Sequence, residues 1–190
     1  MEIEKRLYTL IVHSENIAGV LNQVTAVFTR RQVNIESLNV SASSIEGIHR
    51  YTITAFADSE TIRKIASQIE KKVDVLQCQY FTDDEIFFQE VALYKVMTKV
   101  LSESPAMSET VRRYGANIIE VNSTFSVIEK TGSTDDIMAL NRELSQTGGL
   151  LQYVSSGRVA ITRARIEHVS EYLENMENRY RKNNNRHINL

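Results

Sequence analysis

The run Leu7-Tyr8-Thr9-Leu10-Ile11-Val12 favours β structure and stops at the polar cluster His13-Ser14-Glu15-Asn16, which predicts a central strand entering a loop. From Gly19 the period changes. Val20, Leu21, Val24, Val27 and Phe28 recur at spacings of three and four, one face of a helix ending near Arg30-Arg31, where cations suit the C-terminal dipole. Two β segments, 35–43 and 49–57, flank a turn at Ser44-Ile45-Glu46-Gly47 in which Gly47 supplies a positive φ. Asp58-Ser59-Glu60 then offers a cap and first-turn acid to a second helix carrying Ile62, Ile65, Ala66 and Ile69, and 73–80 returns as a strand. The order is βαββαβ, which split-βαβ folds of the ferredoxin-like type produce with both helices on one sheet face.

The second half repeats this order more faintly. A strand at 91–100 leads to Ser104-Pro105, an N-cap and first helical residue, and a helix to about Tyr114. Strands at 117–121 and 125–129, a helix opened by Asp135-Asp136 and running through Leu144, and strands at 150–154 and 159–162 complete the set. The segment Arg30-Arg31-Gln32-Val33-Asn34-Ile35-Glu36 is echoed by Arg112-Arg113-Tyr114-Gly115-Ala116-Asn117-Ile118-Ile119-Glu120, each at a helix-to-strand junction, as a duplicated topology requires. The expected fold is α+β: two ferredoxin-like βαββαβ domains at 1–81 and 89–166, a linker at 82–88, and a C-terminal helix and tail at 167–190, the helix spanning about 167–178.

Composition narrows the function classes. A chain of 190 residues suits two compact domains, and 42% hydrophobic with 24% charged residues is ordinary globular content. A formal charge of -2 supplies no positive field for counterion release, so generic nucleic-acid binding is disfavoured. With no signal-like N-terminus and no apolar run of membrane-spanning length, the expectation is a cytoplasmic protein without a membrane partner. Cys78 is the single cysteine, which excludes an internal disulfide and a multi-cysteine zinc site; between Leu76 and Tyr80 it takes a strand position and, with no basic neighbour to make it reactive, reads as a packed or rim thiol. Thr82-Asp83-Asp84-Glu85 reads as a solvated acidic turn rather than a hard-cation site, and the four histidines lack ligand spacing. Phosphate cradles, nucleophile elbows and zinc helices are missing from the sequence, so no catalytic residue and no metal site is assigned.

What remains is recognition. In Ser14-Glu15-Asn16-Ile17-Ala18-Gly19-Val20 a glycine admits close backbone approach at a helix start, whose free N–H groups attract carboxylates. The Asn16 amide can donate to a carboxylate and accept from an ammonium, as a zwitterion requires. A turn that merely caps a helix is an equal reading of these residues. Asn34, at the helix-to-strand junction, is the second amide, although asparagine also ends helices for conformational reasons alone. Arg158, Arg163 and Arg165 form a basic cluster in the second domain, either a charged sheet edge or a docking surface for an acidic partner.

Taken together, Glu15-Asn16 with Gly19-Val20-Leu21, Phe28 with Arg30-Arg31, Asn34-Ile35-Glu36-Ser37-Leu38, Val73-Asp74-Val75-Leu76, Glu129-Lys130-Thr131-Gly132 and Ser156-Gly157-Arg158-Val159-Ala160-Ile161-Thr162-Arg163 resemble the acetolactate synthase small subunit family over roughly residues 7 to 165. The resemblance implies an N-terminal ACT domain that forms a homodimer through its sheet and binds valine, isoleucine or leucine at the subunit interface. By motif position, Asn16, Gly19 and Val20 would hold the effector from one protomer and Asn34 with Ile35 from the other, Ile17 and Ile35 lining the side-chain pocket. It further implies a non-catalytic regulatory subunit without a cofactor of its own, which activates a large catalytic subunit carrying thiamine diphosphate, Mg and FAD and makes it sensitive to feedback. A free-standing ACT-domain sensor acting on another enzyme or a transcription regulator is the alternative. The chain departs from the family pattern at Gln32, where glycine is usual, at His13-Ser14, at Gln89 in place of arginine, and at Ser155-Ser156 in place of Arg-Thr. Gln32 implies that the end of the first helix need not use a glycine cap.

Overall fold

A computed structural model of the chain describes residues 4–164. Among these, 4–87 with 161–164 form one compact unit and Phe88–Ala160 a second. The expected helix at 167–178 lies outside the described residues.

The first unit runs β1 (Arg6–Glu15), α1 (Val20–Arg30), β2 (Ser37–Ala42), β3 (Ile48–Ala57), α2 (Ser59–Glu70) and β4 (Val75–Phe81). Its sheet has the order β2-β3-β1-β4, with antiparallel pairing throughout, so β2 and β4 are the edges. The register sets Leu10 opposite Ile53 and Val12 opposite Tyr51, which sends these side chains to one face. There they meet Val20, Val24, Val27 and Phe28 of α1 and Ile62, Ile65, Ala66 and Ile69 of α2 in a single core. Each such side chain contributes about 1.5–3 kcal/mol through burial, enough to override weak local preferences. Asp58 caps α2, its carboxylate accepting from Thr61 N–H at 2.8 Å. Cys78 is buried within this core, and burial pushes its thiol well above the usual range.

Strand β1 is longer than the polar cluster suggested. His13 and Ser14 are buried inside it, and Ser14 Oγ donates to Tyr51 Oη at 3.2 Å. Hydrophilic residues here do not end the strand, because β3 and β4 on either side continue its ladder.

The second unit is built on β5 (Ile86–Met97), α3 (Thr98–Glu103), α4 (Pro105–Arg113), β6 (Asn117–Val121), β7 (Phe125–Gly132), α5 (Thr134–Gln146), β8 (Leu150–Ser155) and β9 (Val159–Thr162). The sheet order is β6-β7-β5-β8, with β9 also pairing β5. Ala92, Tyr94 and Val96 share a core with Leu101, Met107, Val111, Ile137, Leu140 and Leu144. Ser104 accepts from Met107 N–H at 3.3 Å and Pro105 follows it as the first residue of α4.

Two local expectations change. The strand placed at 91–100 begins at Ile86 and stops at Met97, and Thr98 to Val100 open the short helix α3. Apolar spacing through Val96, Val100 and Leu101 fits strand alternation and a helical turn alike, so the sequence pattern could not place that boundary. The stretch 82–88 is a single 3-10 turn, Asp83–Glu85, leading directly into β5. Thr82 donates to Glu85 from both its N–H (2.7 Å) and its hydroxyl (2.9 Å), so the acidic run folds on itself. No helix among the described residues is long and apolar enough to cross a membrane.

Candidate functional site

The turn between β1 and α1 is held from both sides of its strand. Glu15 N–H donates to Asp74 O and Asn16 N–H to Gly47 O, each at 2.9 Å, so the neighbours of β1 fix where the chain leaves the sheet. A bulge against β4 at His13/Ser14 adds local bend. Gly47 closes the hairpin, and its carbonyl also anchors the turn, a role with no signal in the local sequence pattern. Beyond Asn16, Gly19 adopts φ 95°, a left-handed conformation that side-chain-bearing residues rarely take.

Gly19 is the N-cap of α1 and brings no side-chain cap. Val20 N–H reaches Ile17 O at 3.4 Å, and the first bond of helical type runs from Gln23 N–H to Gly19 O at 3.1 Å. Among the described residues no backbone carbonyl or capping side chain is recorded for the N–H groups of Leu21 and Asn22. The first turn contains no acidic residue. The helix start therefore presents unanswered donors and the positive end of the dipole, which suits an incoming carboxylate.

Around it, Asn16, Ile17 and Gly19 are exposed and Val20 is buried under the helix. Ile17 is 50% exposed, an apolar side chain in solvent beside the donors. Asn34 and Ile35 lie past the other end of α1, Asn34 exposed and Ile35 partly buried against the core. An 11-residue helix spans about 16 Å, so within one chain the two groups stand at opposite ends of α1 and do not meet. Both lead straight into β2, the sheet edge.

The junction before Asn34 turns on Gln32, the residue that departs from the family's glycine. Gln32 adopts φ 54°, the only non-glycine residue with positive φ among those described. Val33 N–H donates to Phe28 O (3.1 Å) and Gln32 N–H to Thr29 O (3.1 Å), the paired bonds of a Schellman turn. The helix thus keeps a glycine-type end with a glutamine in the left-handed position.

The arginine cluster is divided. Arg158 is buried at 4% exposure, its guanidinium 3.8 Å from the Phe88 ring centre, with Nε 3.3 Å from Thr134 Oγ1 and 3.7 Å from Glu90 Oε1. Glu90, also buried, accepts from Ser155 Oγ at 2.8 Å and from Thr134 Oγ1. A charge so enclosed cannot meet a partner's surface, and the expectation of Arg158 as a docking residue is corrected. Arg163 is exposed, stacks 3.8 Å over Phe87 and follows the end of β9 instead of lying within it. Arg165 is outside the described residues.

Two family descriptions match the chain in succession. An "AHAS small subunit-like ACT domain" fits residues 10–77 and a "Small subunit of acetolactate synthase" domain fits residues 89–164. The acetolactate synthase small subunit of Mycobacterium bovis is 34% identical over 158 residues, covering 83% of this chain and 93% of the relative. That of Bacillus subtilis is 31% identical over 160 residues, covering 84% and 91%. The crystal structure of the Thermotoga maritima acetolactate synthase small subunit superposes with a TM-score of 0.75 at 27% identity, covering 85% of this chain and 99% of that one. With the uncapped helix start on a βαββαβ unit, these similarities show that the chain belongs to the acetolactate synthase small subunit family, with an ACT domain in its N-terminal unit.

Proposed function

We propose that this chain is the regulatory, non-catalytic subunit of an acetolactate synthase, and that it binds a branched-chain amino acid between the ACT domains of a homodimer. The uncapped start of α1 carries the reading: Leu21 and Asn22 N–H would receive the carboxylate, and the Asn16 amide would complete the polar contacts. Since Asn34 and Ile35 enter the edge strand β2, pairing of two sheets along β2 would bring them from one protomer towards the turn of the other. Ile17 and Ile35 would then enclose the aliphatic side chain. A ligand so placed favours the dimer arrangement that binds it, which is how effector binding would reach the catalytic subunit. That partner would hold thiamine diphosphate, Mg and FAD. Within the basic cluster, Arg163 supports a docking role because it is exposed.

Calorimetry with valine, leucine and isoleucine on the wild type and on Asn16→Ala tests the site. Binding of at least one of the three is expected, together with its loss in Asn16→Ala while the fold is retained. No heat from any of the three would refute the effector site. Mixing the chain with a purified catalytic subunit should raise acetolactate formation, and the bound amino acid should lower it.

A further inference from the structure

Within the first unit, the last turn of α1 and the end of α2 line one cleft of about 420 Å³, walled by Val27, Arg30, Arg31, Gln68, Lys71 and Lys72. The chain as a whole carries a formal charge of -2, so four cations in one hollow are a local concentration. Among the described residues no acidic side chain lines the cleft, and none of the four cations enters an ion pair. Earlier on α2, by contrast, Lys64 is answered by Glu60 at 2.6 Å.

Helix dipoles account for part of the cluster. Each C-terminal end carries about half a negative charge, so the two ends together offset about one of the four positive charges. The donors are also held in place. Arg31 Nε donates to Gln68 Oε1 at 3.1 Å, which fixes the guanidinium against α2 and leaves its two terminal nitrogens and the Gln68 amide N–H groups for other acceptors. Arg31 and Lys72 are half-buried while Arg30 and Lys71 are exposed, so the charges line the hollow in depth.

We propose that this cleft binds a small anion carrying two or more phosphate groups, with Arg31 and Lys72 within and Arg30 and Lys71 at the mouth. Guanidinium groups donate to phosphate oxygens in pairs, and lysines add point charges beside them. The volume falls within the range of small-molecule sites. A single phosphate would leave part of the positive charge unanswered, and a hollow suits a small molecule better than the broad surface of an acidic protein. Arg30 and Arg31 close α1 at the end away from the Asn16 turn, so the site stands or falls separately from the effector site.

Inorganic pyrophosphate is the probe. Titration calorimetry on the full-length chain at low ionic strength should show one site per chain that weakens as salt rises, with inorganic phosphate at least about tenfold weaker. The double variant Arg30→Gln with Lys71→Gln alters exposed side chains only and should weaken pyrophosphate binding about tenfold or more, with the far-ultraviolet circular dichroism kept. Lys99→Gln, at an exposed lysine of the second unit, should bind as the wild type does. No heat from pyrophosphate at millimolar concentration overturns the proposal. So does binding that the double variant leaves intact, binding that Lys99→Gln weakens equally, phosphate bound as tightly as pyrophosphate, or capture of polyglutamate by a chain that ignores pyrophosphate, which would assign the cleft to an acidic protein.

Discussion

Gln32 and Gly115 hold the same place in two helix ends. Each is the left-handed residue of a Schellman turn, at φ 54° and φ 59°, and each stands two residues before an asparagine, Asn34 and Asn117. The bonds correspond: Val33 N–H to Phe28 O in the first unit and Ala116 N–H to Val111 O in the second. The duplication seen faintly in the sequence is thus exact in backbone geometry at this corner, while the residue suited to that geometry is kept in only one copy. A side-chain-bearing residue at positive φ costs roughly 1–2 kcal/mol, part of which a glycine returns through its freer unfolded chain. Gln32→Gly should therefore stabilise the ACT domain by up to about 1 kcal/mol, and Gly115→Gln should destabilise the second unit by about 1–2 kcal/mol. Space around Gly115 is open, so the cost there is purely conformational. Thermal melts of the two variants check both signs.

Arg158 acts on stability. Removing it leaves the Glu90 carboxylate buried with hydroxyl partners only, and breaking an enclosed pair of this kind costs about 3–5 kcal/mol. Arg163→Ala removes an exposed stacking contact and should cost about 1 kcal/mol or less. Urea unfolding of both variants separates the roles. If Arg158→Ala unfolds like the wild type, the pair is not structural.

The proposed dimer makes effector binding depend on the edge strand. Val40 lies on β2 and is 37% exposed, so Val40→Glu should be tolerated by the isolated fold. Across a two-fold contact it would set two carboxylates against each other. Sedimentation velocity should show a monomer, and calorimetry should show effector binding lost although Asn16 is untouched. A Val40→Glu monomer that binds at full affinity would place the whole site within one chain.

Acid should loosen α2 through its cap. Bonds from Thr61, side chain and backbone, hold the Asp58 carboxyl below the usual aspartate range. A depressed folded value means that its contribution is fully present above the unfolded pKa, about 4, and is lost as pH falls through the lower folded value. Melting temperature against pH should therefore fall less steeply on the acid side in Asp58→Asn than in the wild type.

The turn and the amides were legible because their signals are local. A strand running into polar residues, a glycine, then apolar spacings of three and four locate a helix start, and the structure adds that it has no side-chain cap. The helix expected between Asn16 and Asn34 already set them apart, and the observed α1, about 16 Å long, keeps the two groups from meeting within one chain. Gly47 was legible as a turn glycine but not as an anchor of the site, since its carbonyl reaches Asn16 only after β1 and β3 have paired.

Apart from the short helix α3, the sequence by itself determined the kinds of element and their order, since helix and strand periods are read from neighbours along the chain. It also determined two of the residues that cap them: Asp58 and Ser104 accept the amide bonds their positions implied, whereas the Ser133 cap of α5 emerged only in the structure. Tertiary structure alone decided which polar residues went inside. His13, Ser14, Glu90 and Arg158 look like solvated positions in any local window, yet they are buried, because their exposure depends on strands and side chains distant in sequence. It decided the conformation of Gln32 as well: the helix end must turn sharply to deliver β2 to the sheet edge, and packing of Val33 and Ile35 on the core outweighs the strain at one residue.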